Sequence, residues 1–268
     1  MTQAIATPDA MVHPSLLPAA QRDRYDQDGY LILRGFFTPT QIAPAATEAE
    51  GLLRRTELIH TDNLRCRWQT DAQTSACIFD AFDPIADLSP ACGRLATDPR
   101  LLAAVGALYG EEACLFKDKL IFKPPGCKGY ALHQDFIAWP HFPRSFLTVV
   151  VPLDPATREN GCTEVFAAYH QGGCMLPEDG EYHELTPDSV DPARSVKLEL
   201  DVGDIAIFSA FTPHRSGPNT TGAYRRQLYL SYNALSDGGP QRDRHYAKFI
   251  PWLREKYAQH GKTGVYFR

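Results

Sequence analysis

The chain has 268 residues, of which 44% are hydrophobic and 22% are charged, and its formal net charge is −5. This length and composition allow one large core and exclude an intrinsically disordered protein. The sequence has no lysine- or arginine-rich run and no apolar stretch of the ~20 residues that span a bilayer, so we expect neither a nucleic-acid partner nor a membrane segment.

The start of the chain and its cysteines point to a cytoplasmic protein. We expect residues 1–13 to form a flexible N-terminal arm, and MTQAIATPDAMVHPS lacks the basic-then-apolar order of a signal peptide. The seven cysteines are scattered and none forms a C-x-x-C pair, so we expect reduced thiols rather than a zinc ribbon. Residues 14–268 are expected to form a single domain.

The first part of the chain carries helix signals. PSLLPAAQRDRYDQDG predicts a helix that ends at Gly29, followed by an apolar strand over 30–34. In TPTQIAPAATEAEGLLRR, Thr38 is a candidate N-cap, with a proline at the first helical position. DPRLLAAVGALYG repeats this arrangement between Asp98 and Gly110. We therefore predict three helices before the chain changes character.

After Gly110 the sequence is typical of β-structure. Proline and glycine separate short apolar segments, and no strand–helix–strand alternation appears, which favours a sandwich or jelly roll over a parallel doubly wound sheet. The polar segment 171–194 is expected to be a lid or an insertion, because loops of this length are usually functional. The candidate strands cover 114–123, 130–137, 145–153, 162–167, 195–200, 204–210 and 225–233.

The sequence HQDFIAW places a histidine and a carboxylate two residues apart. On a strand over 130–137, His133 and Asp135 would share one face. His214 follows a later apolar strand, and two histidines with one carboxylate form a facial triad that suits Fe(II). Arg225, at the head of the last strand, can bind a carboxylate with two hydrogen bonds. Separately these residues are ordinary strand, loop and surface positions, but their joint order favours a metal site.

These motifs resemble the phytanoyl-CoA dioxygenase family of Fe(II)/2-oxoglutarate oxygenases. KPPG, HQD, ENGCTEV and GDIAIF…PHRSGPN, followed by Arg225, occur here in the family's order. The resemblance covers roughly residues 20–234 and is specific over 114–234. It implies a mainly β fold with a double-stranded β-helix core (jelly roll, cupin-like) and the N-terminal helices packed on it.

The resemblance also implies the residue roles. His133, Asp135 and His214 would bind iron, while Arg225, assisted by Ser216, would bind the distal carboxylate of 2-oxoglutarate. The chain lacks the serine that many other 2-oxoglutarate oxygenases have two residues after the arginine, so the remaining cosubstrate contacts stay open. Related halogenases have Ala or Gly at the carboxylate position, so an intact Asp implies hydroxylation, driven by O2 and coupled to conversion of 2-oxoglutarate into succinate.

Further cavity residues are expected on three strands. In LFKDKLIFK, Lys117, Lys119 and Lys123 share a face, which is either solvated or the wall of a cationic cavity. The resemblance places Lys119 and Thr148 beside the cosubstrate. The candidate substrate-binding residues are Lys117, Trp139, Arg144, Gln227 and Tyr229, although packing would explain the last two equally well.

The resemblance implies a dioxygenase that hydroxylates a small polar, anionic molecule. The motif combination is most similar to bacterial members that hydroxylate phosphonates, so 2-aminoethylphosphonate or a related phosphonate is the leading expectation. An amino acid derivative or a natural-product intermediate is the alternative substrate. The alternative function is a non-oxidative, cupin-like metal-binding protein. The sequence leaves the oligomeric state open.

Overall fold

The computed structural model describes residues 17–137, 139 and 142–258, so the expected arm over 1–13 lies outside the described residues. The helices of the described part are α1 (Ala19–Asp28), α2 (Pro39–Leu53), α3 (Pro90–Ala96), α4 (Pro99–Tyr109) and α5 (Arg242–Ala258). Its strands are β1 (Tyr30–Leu33), β2 (Cys66–Thr70), β3 (Cys77–Phe82), β4 (Ala113–Ile121), β5 (Tyr130–His133), β6 (Leu147–Pro152), β7 (Thr163–Phe166), β8 (Ser195–Lys197), β9 (Ile205–Ser209), β10 (His214–Ser216) and β11 (Gln227–Ala234).

The strands form the two sheets of a jelly roll. The larger sheet has seven strands in the order β1-β9-β6-β11-β4-β3-β2, and the smaller has four in the order β5-β10-β7-β8. Neighbouring strands are antiparallel throughout both sheets. The predicted class, a mainly β jelly roll with flanking helices, is confirmed.

Alternation along the central strands separates two cores. On β11, Leu228 and Leu230 belong to the core under the helices, whereas Tyr229 faces the smaller sheet. On β9, Ile207 and Phe208 divide in the same way. Because side chains of a strand point alternately to opposite faces, this sheet packs helices on one face and encloses the space between the sheets on the other.

The predicted helix ends are confirmed for the first, second and fourth helices. Gly29 ends α1 with φ 76°, in the left-handed region that favours glycine. Thr38 begins α2 with a capping box that includes Gln41. Asp98 caps α4 and Gly110 ends it. Among the described residues, no helix combines the length and apolar character that crossing a membrane requires.

One predicted strand is too long, and the difference matters for the site. β5 ends at His133, so Asp135 lies in a bend and not on the same strand face. The Gln134 side chain turns away to donate to Gly173 O (3.0 Å) and Phe211 O (2.6 Å). These contacts with neighbouring loops draw the chain out of the sheet directly after His133. The prediction of a shared strand face is therefore wrong.

The segment 171–194 packs beside β5. It contains short 3-10 turns, and Leu185 and Val190 join an apolar cluster with Leu132 and Phe166. The backbone N–H of Leu185 donates to Leu132 O (2.8 Å). This polar segment is therefore fastened to the strand that carries His133.

Candidate active site

Two histidines meet across neighbouring strands. His133 ends β5, His214 begins β10, and the two are register partners with ring centroids 4.3 Å apart. Asp135 follows in the bend after β5, where its backbone N–H donates to Ala210 O (3.0 Å). The three side chains that the sequence singled out therefore converge.

Hydrogen bonds fix how both imidazoles face the carboxylate. Nδ1 of His133 and of His214 lies 2.8 Å and 3.0 Å from the carbonyl oxygens of Ala131 and Thr212, respectively. Each Nδ1 therefore carries the proton, and the Nε2 atoms lie 3.8 Å and 3.7 Å from Asp135 Oδ1. One ligand atom from each residue lies within 4.8 Å of the others. Two imidazoles and a carboxylate in this arrangement fit Fe(II) and leave coordination positions open.

The charge states of this group suit a metal. Burial, reinforced by the neighbouring His214, lowers the pKa of His133 to about 3. Burial by itself would raise the pKa of Asp135, but the facing His214 and Lys119 lower it to about 2. A neutral imidazole and an ionised carboxylate are the forms that coordinate a metal ion.

Thr148 contacts the carboxylate. Its hydroxyl donates to Asp135 Oδ2 (2.8 Å), which leaves Oδ1 directed toward the two histidines. In the structure this hydroxyl orients Asp135, and the expected place of Thr148 beside the cosubstrate stays a prediction.

A cavity of about 350 Å³ opens beside the three residues. Ser216, Lys119 and Tyr229, all predicted site residues, line it. The Tyr229 hydroxyl lies 2.7 Å from Thr163 Oγ1, and Lys119 Nζ lies 5.6 Å from the centroid of the Tyr229 ring. The full lining is Lys119, Ile121, Tyr130, His133, Asp135, Thr163, His214, Arg215, Ser216 and Tyr229.

Two buried cations lie behind this cavity. Arg225 is 1% exposed, and it donates from Nη1 to Gln227 Oε1 (2.5 Å). Its Nε atom has no hydrogen-bond partner within the part of the chain that the structure describes. Lys123 is fully buried and donates from Nζ to Ser216 Oγ (2.8 Å). Predicted residues Arg225, Ser216 and Gln227 thus meet at one end of the site.

Lys123 is a site residue that the sequence reasoning did not select. Burial and the nearby Arg225 lower its pKa to about 7, while Asp80 opposes that shift. The two cations Lys123 and Arg225 lie near one carboxylate, that of Asp80, so positive charge is in excess. An unpaired buried charge is costly. This end of the site therefore fits a carboxylate ligand such as the distal group of 2-oxoglutarate. The spacing of the lysines at 117, 119 and 123 was the available signal, although β4 ends at Ile121 and Lys123 lies two residues beyond it.

A second cavity, of about 270 Å³, adjoins Lys117 on the same face of β4. The lysines at 117 and 119 therefore face the interior, and the solvated-face interpretation is wrong for them. Trp139 lines this cavity, which is consistent with its expected place in an active-site wall. The complete lining is Lys117, Ile137, Trp139, Phe142, Gly180, His245, Phe249 and Trp252.

Helix α5 supplies three of these residues and was not anticipated. His245, Phe249 and Trp252 follow helical spacing, so a period of three to four residues was the available signal. Arg144, by contrast, lies outside both linings. Its guanidinium pairs with Glu178 (3.0 Å) and stays largely exposed.

Comparison with known proteins agrees with this geometry. The family profile described as phytanoyl-CoA dioxygenase (PhyH) matches residues 25–227. The chain belongs to this family. The expectation of a 2-oxoglutarate-dependent non-haem iron oxygenase is confirmed, with Fe(II) as cofactor and 2-oxoglutarate and O2 as cosubstrates.

Two relatives of this chain are named for phosphonate substrates. Methylphosphonate hydroxylase of Gimesia maris is 33% identical over 258 residues, covering 92% of this chain and 91% of that protein. 2-Aminoethylphosphonate dioxygenase of an uncultured bacterium is 26% identical over 229 residues, covering 83% and 84%. EctD from S. alaskensis, solved with 2-oxoglutarate and 5-hydroxyectoine, has a TM-score of 0.68 and 25% identity, covering 87% and 80%.

Proposed function

We propose that this oxygenase hydroxylates a small phosphonate at iron held by His133, Asp135 and His214. The observation that carries the proposal is the position of Lys117, which lines the second cavity from the same strand face that carries Lys119 beside the metal ligands. A cationic wall beside the metal selects a substrate with an anionic group.

Strand register brings Lys117 toward the metal ligands. Lys117 pairs with Ser231, and Ser231 pairs with Thr148, whose hydroxyl binds Asp135. Two strand spacings separate the Cα atoms of Lys117 and Thr148 by ~10 Å, and Asp135 is near enough to Lys117 to oppose the lowering of its pKa. An anion bound at Lys117 would therefore hold its neighbouring carbon close to the iron.

The charges around Lys117 leave it free for a ligand. Burial lowers the pKa of Lys117, and Asp83 opposes this. Asp83 already accepts from Arg67 (3.2 Å) and from the hydroxyl of Tyr246 (2.8 Å). One buried carboxylate between two cations leaves net positive charge, which an anionic substrate would neutralise.

The relatives favour phosphonate among the anions. Both curated relatives described above are named for phosphonate substrates, and both align over most of this chain. A phosphonate carries more negative charge than a carboxylate at neutral pH, so it gains more from the positive charge of Lys117.

Different residues bind the cosubstrate and the substrate. Bound Fe(II) supplies O2 activation coupled to oxidative decarboxylation of 2-oxoglutarate and to hydroxylation of a substrate C–H bond. Arg225, Lys123 and Ser216 bind the distal carboxylate of 2-oxoglutarate, and Thr148 orients the carboxylate ligand. The aromatic lining of the second cavity excludes water around the substrate.

Segment 171–194 is proposed to be the lid of this site, within one oxygenase domain over 14–268. The ring of Tyr182 lies 5.6 Å from that of His133, and Lys256 of α5 contacts Glu181 (3.0 Å). The unpaired cysteines support a cytoplasmic location. The absence of a nucleic-acid partner stays a prediction.

A succinate-release assay tests the proposed function. The iron-loaded protein is supplied with 2-oxoglutarate and O2, and with methylphosphonate, 2-aminoethylphosphonate, their carboxylate counterparts acetate and β-alanine, or a panel of amino acids. We expect a phosphonate to stimulate succinate release above the substrate-free rate and more than its carboxylate counterpart. Greater stimulation by an amino acid or by a carboxylate would contradict the phosphonate assignment.

A further inference from the structure

We propose, on the basis of the function proposed above, that His245 of α5 is a substrate-binding residue. Its Nε2–H donates to the anionic head group of the substrate, which Lys117 holds from the opposite wall. His245 would then help to determine specificity at the end of the site away from Arg225.

The imidazole of His245 is buried without a polar partner at Nε2. The residue is 7% exposed, and Nε2 has no hydrogen-bond partner among the described residues. The ring stacks on Phe249 at 5.3 Å and 17°, and it lies 4.5 Å from the Phe116 ring and 5.8 Å from the Trp139 ring. Buried polar atoms almost always have a partner, so a ring nitrogen left open in an aromatic cavity points to a ligand.

Lys117 is the other polar side chain of the same cavity. Its Nζ lies 5.5 Å from the centroid of the Phe249 ring, and the residues that the structure describes offer it no hydrogen bond. The rest of the lining is apolar or aromatic, apart from Gly180. A pocket with two convergent polar groups on an apolar lining is the usual form of a small-molecule site, in which those groups fix the ligand's polar end.

The charge at this spot selects an anion. Aromatic rings alone would favour a cationic ligand group. The ammonium of Lys117 in this cavity repels such a group. Burial and the nearby Lys117 lower the pKa of His245 to about 3, so the imidazole is neutral and can donate one hydrogen bond. Lys117 supplies a positive charge, and His245 supplies a directional hydrogen bond. An oxygen of a phosphonate or carboxylate group can bind both.

Helix α5 is anchored independently of this ring. Arg242 contacts Asp118 (2.6 Å), and the hydroxyl of Tyr246 donates to Asp83 (2.8 Å). These two contacts flank His245 on the helix and hold it over β4 without using the imidazole. Substitution at residue 245 is therefore expected to leave the helix in place.

Two variants of His245 test the proposal in the iron-loaded, full-length protein. His245→Phe keeps an aromatic ring and removes the donor, whereas His245→Gln restores an amide donor near the position of Nε2. Methylphosphonate and 2-aminoethylphosphonate serve as the phosphonate probes, with acetate and β-alanine as the carboxylate arm. The readouts are KM for the stimulating anion, KM for 2-oxoglutarate, and Tm. Arg254→Gln, at an exposed position on the same helix and away from His245, is the matched control.

We expect His245→Phe to raise the KM of the stimulating anion about 10-fold, the loss typical of one hydrogen bond to a charged group, with KM for 2-oxoglutarate and Tm unchanged. His245→Gln should recover most of that loss, and Arg254→Gln should behave as the wild type. An unchanged anion KM in His245→Phe would overturn the role of His245, as would a parallel rise of both KM values with a lowered Tm. If the wild type turns over no phosphonate or carboxylate, the proposed function fails first and the role of His245 with it.

Discussion

Arg225 is the largest fully buried side chain of the described residues, although arginine is rarely buried without a charged partner. Among the described residues, its one side-chain hydrogen bond goes to a neutral amide, that of Gln227. Binding of a carboxylate therefore stabilises a guanidinium in this position. The cosubstrate anchor can therefore be tested separately from the metal site.

Arg225→Ala is expected to weaken 2-oxoglutarate binding at least ~10-fold while iron binding is retained, because hydrogen bonds to charged groups contribute ~1.5–3 kcal/mol each. The measurement is an anaerobic titration of the Fe(II)-loaded protein with 2-oxoglutarate, followed by the metal-to-ligand charge-transfer band. Arg226→Ala is the matched control, since Arg226 pairs with Asp154 (2.8 Å) away from the cavity. Equal affinities of Arg225→Ala and wild type would contradict the anchor role.

We expect Lys123 to give cosubstrate binding a pH dependence. Burial and Arg225 lower its pKa to about 7, against the smaller opposing effects of Cys127, Asp80 and Cys162. The free protein therefore loses this positive charge as the pH rises through about 7. Because kcat/KM reports groups of the free enzyme, kcat/KM for 2-oxoglutarate should fall above that pH.

The pH profile of Lys123→Met checks this assignment. Methionine has no titrating group, so its kcat/KM for 2-oxoglutarate should be lower than that of the wild type at pH 6 and should lack the decline near pH 7. The same decline in Lys123→Met would assign the titration to another group.

At the scale of elements, β4 carries both halves of the site. Lys119 faces the cavity of the three candidate iron ligands and Lys117 faces the cavity under α5. Residues two apart on a strand point to the same face. Lys117 and Lys119 are therefore neighbours on one face of β4, and each can contact a different ligand.

Paired lysine variants separate these two roles. Lys117→Met keeps the length of the side chain and removes its charge, so it should raise the KM of the anionic substrate several-fold and spare that of 2-oxoglutarate. Lys119→Met should have the opposite selectivity. Both constants are measured for both variants by succinate release. If neither constant changes in Lys117→Met, the anionic-substrate proposal loses its basis.

The elements that the sequence predicted are those with strong local signals. The capping box at Thr38 and the left-handed glycines mark helix ends by short-range chemistry, and the apolar runs of β4 and β11 are long enough to have a clear period. β10 has three residues, too few for any period, and it exists because β5 and β7 pair with it. The formation of β10 therefore depends on tertiary contacts, which the local sequence pattern does not reveal.

The candidate site divides in the same way. The order of HQD, PHRSGPN and Arg225 predicted the residues that converge. Asp135 lies outside the strand, in a position set by the contacts of Gln134 with Phe211 and of its own N–H with Ala210. The periodicity of the local sequence does not predict these long-range contacts. His245 comes from a polar C-terminal helix whose position depends on the distant Asp118.

At the scale of the whole molecule, the proposed cosubstrate end and the proposed substrate end lie on either side of the candidate metal site. Arg225 and Lys123 lie at one end, Lys117 and α5 close the other, and the His133–Asp135–His214 group lies between them. This order agrees with the function of a hydroxylase, since 2-oxoglutarate and substrate must both reach one metal.

Turnover of a phosphonate under 18O2 tests the central claim most directly. The iron-loaded protein is incubated with 2-oxoglutarate and the phosphonate that best stimulates succinate release, with His214→Ala as the inactive control. Mass spectrometry measures the product and the succinate. We predict one hydroxylated phosphonate per succinate, with one 18O in its new hydroxyl group, and no product from His214→Ala. Succinate release without any oxygenated phosphonate, or product formation by His214→Ala at the wild-type rate, would contradict it.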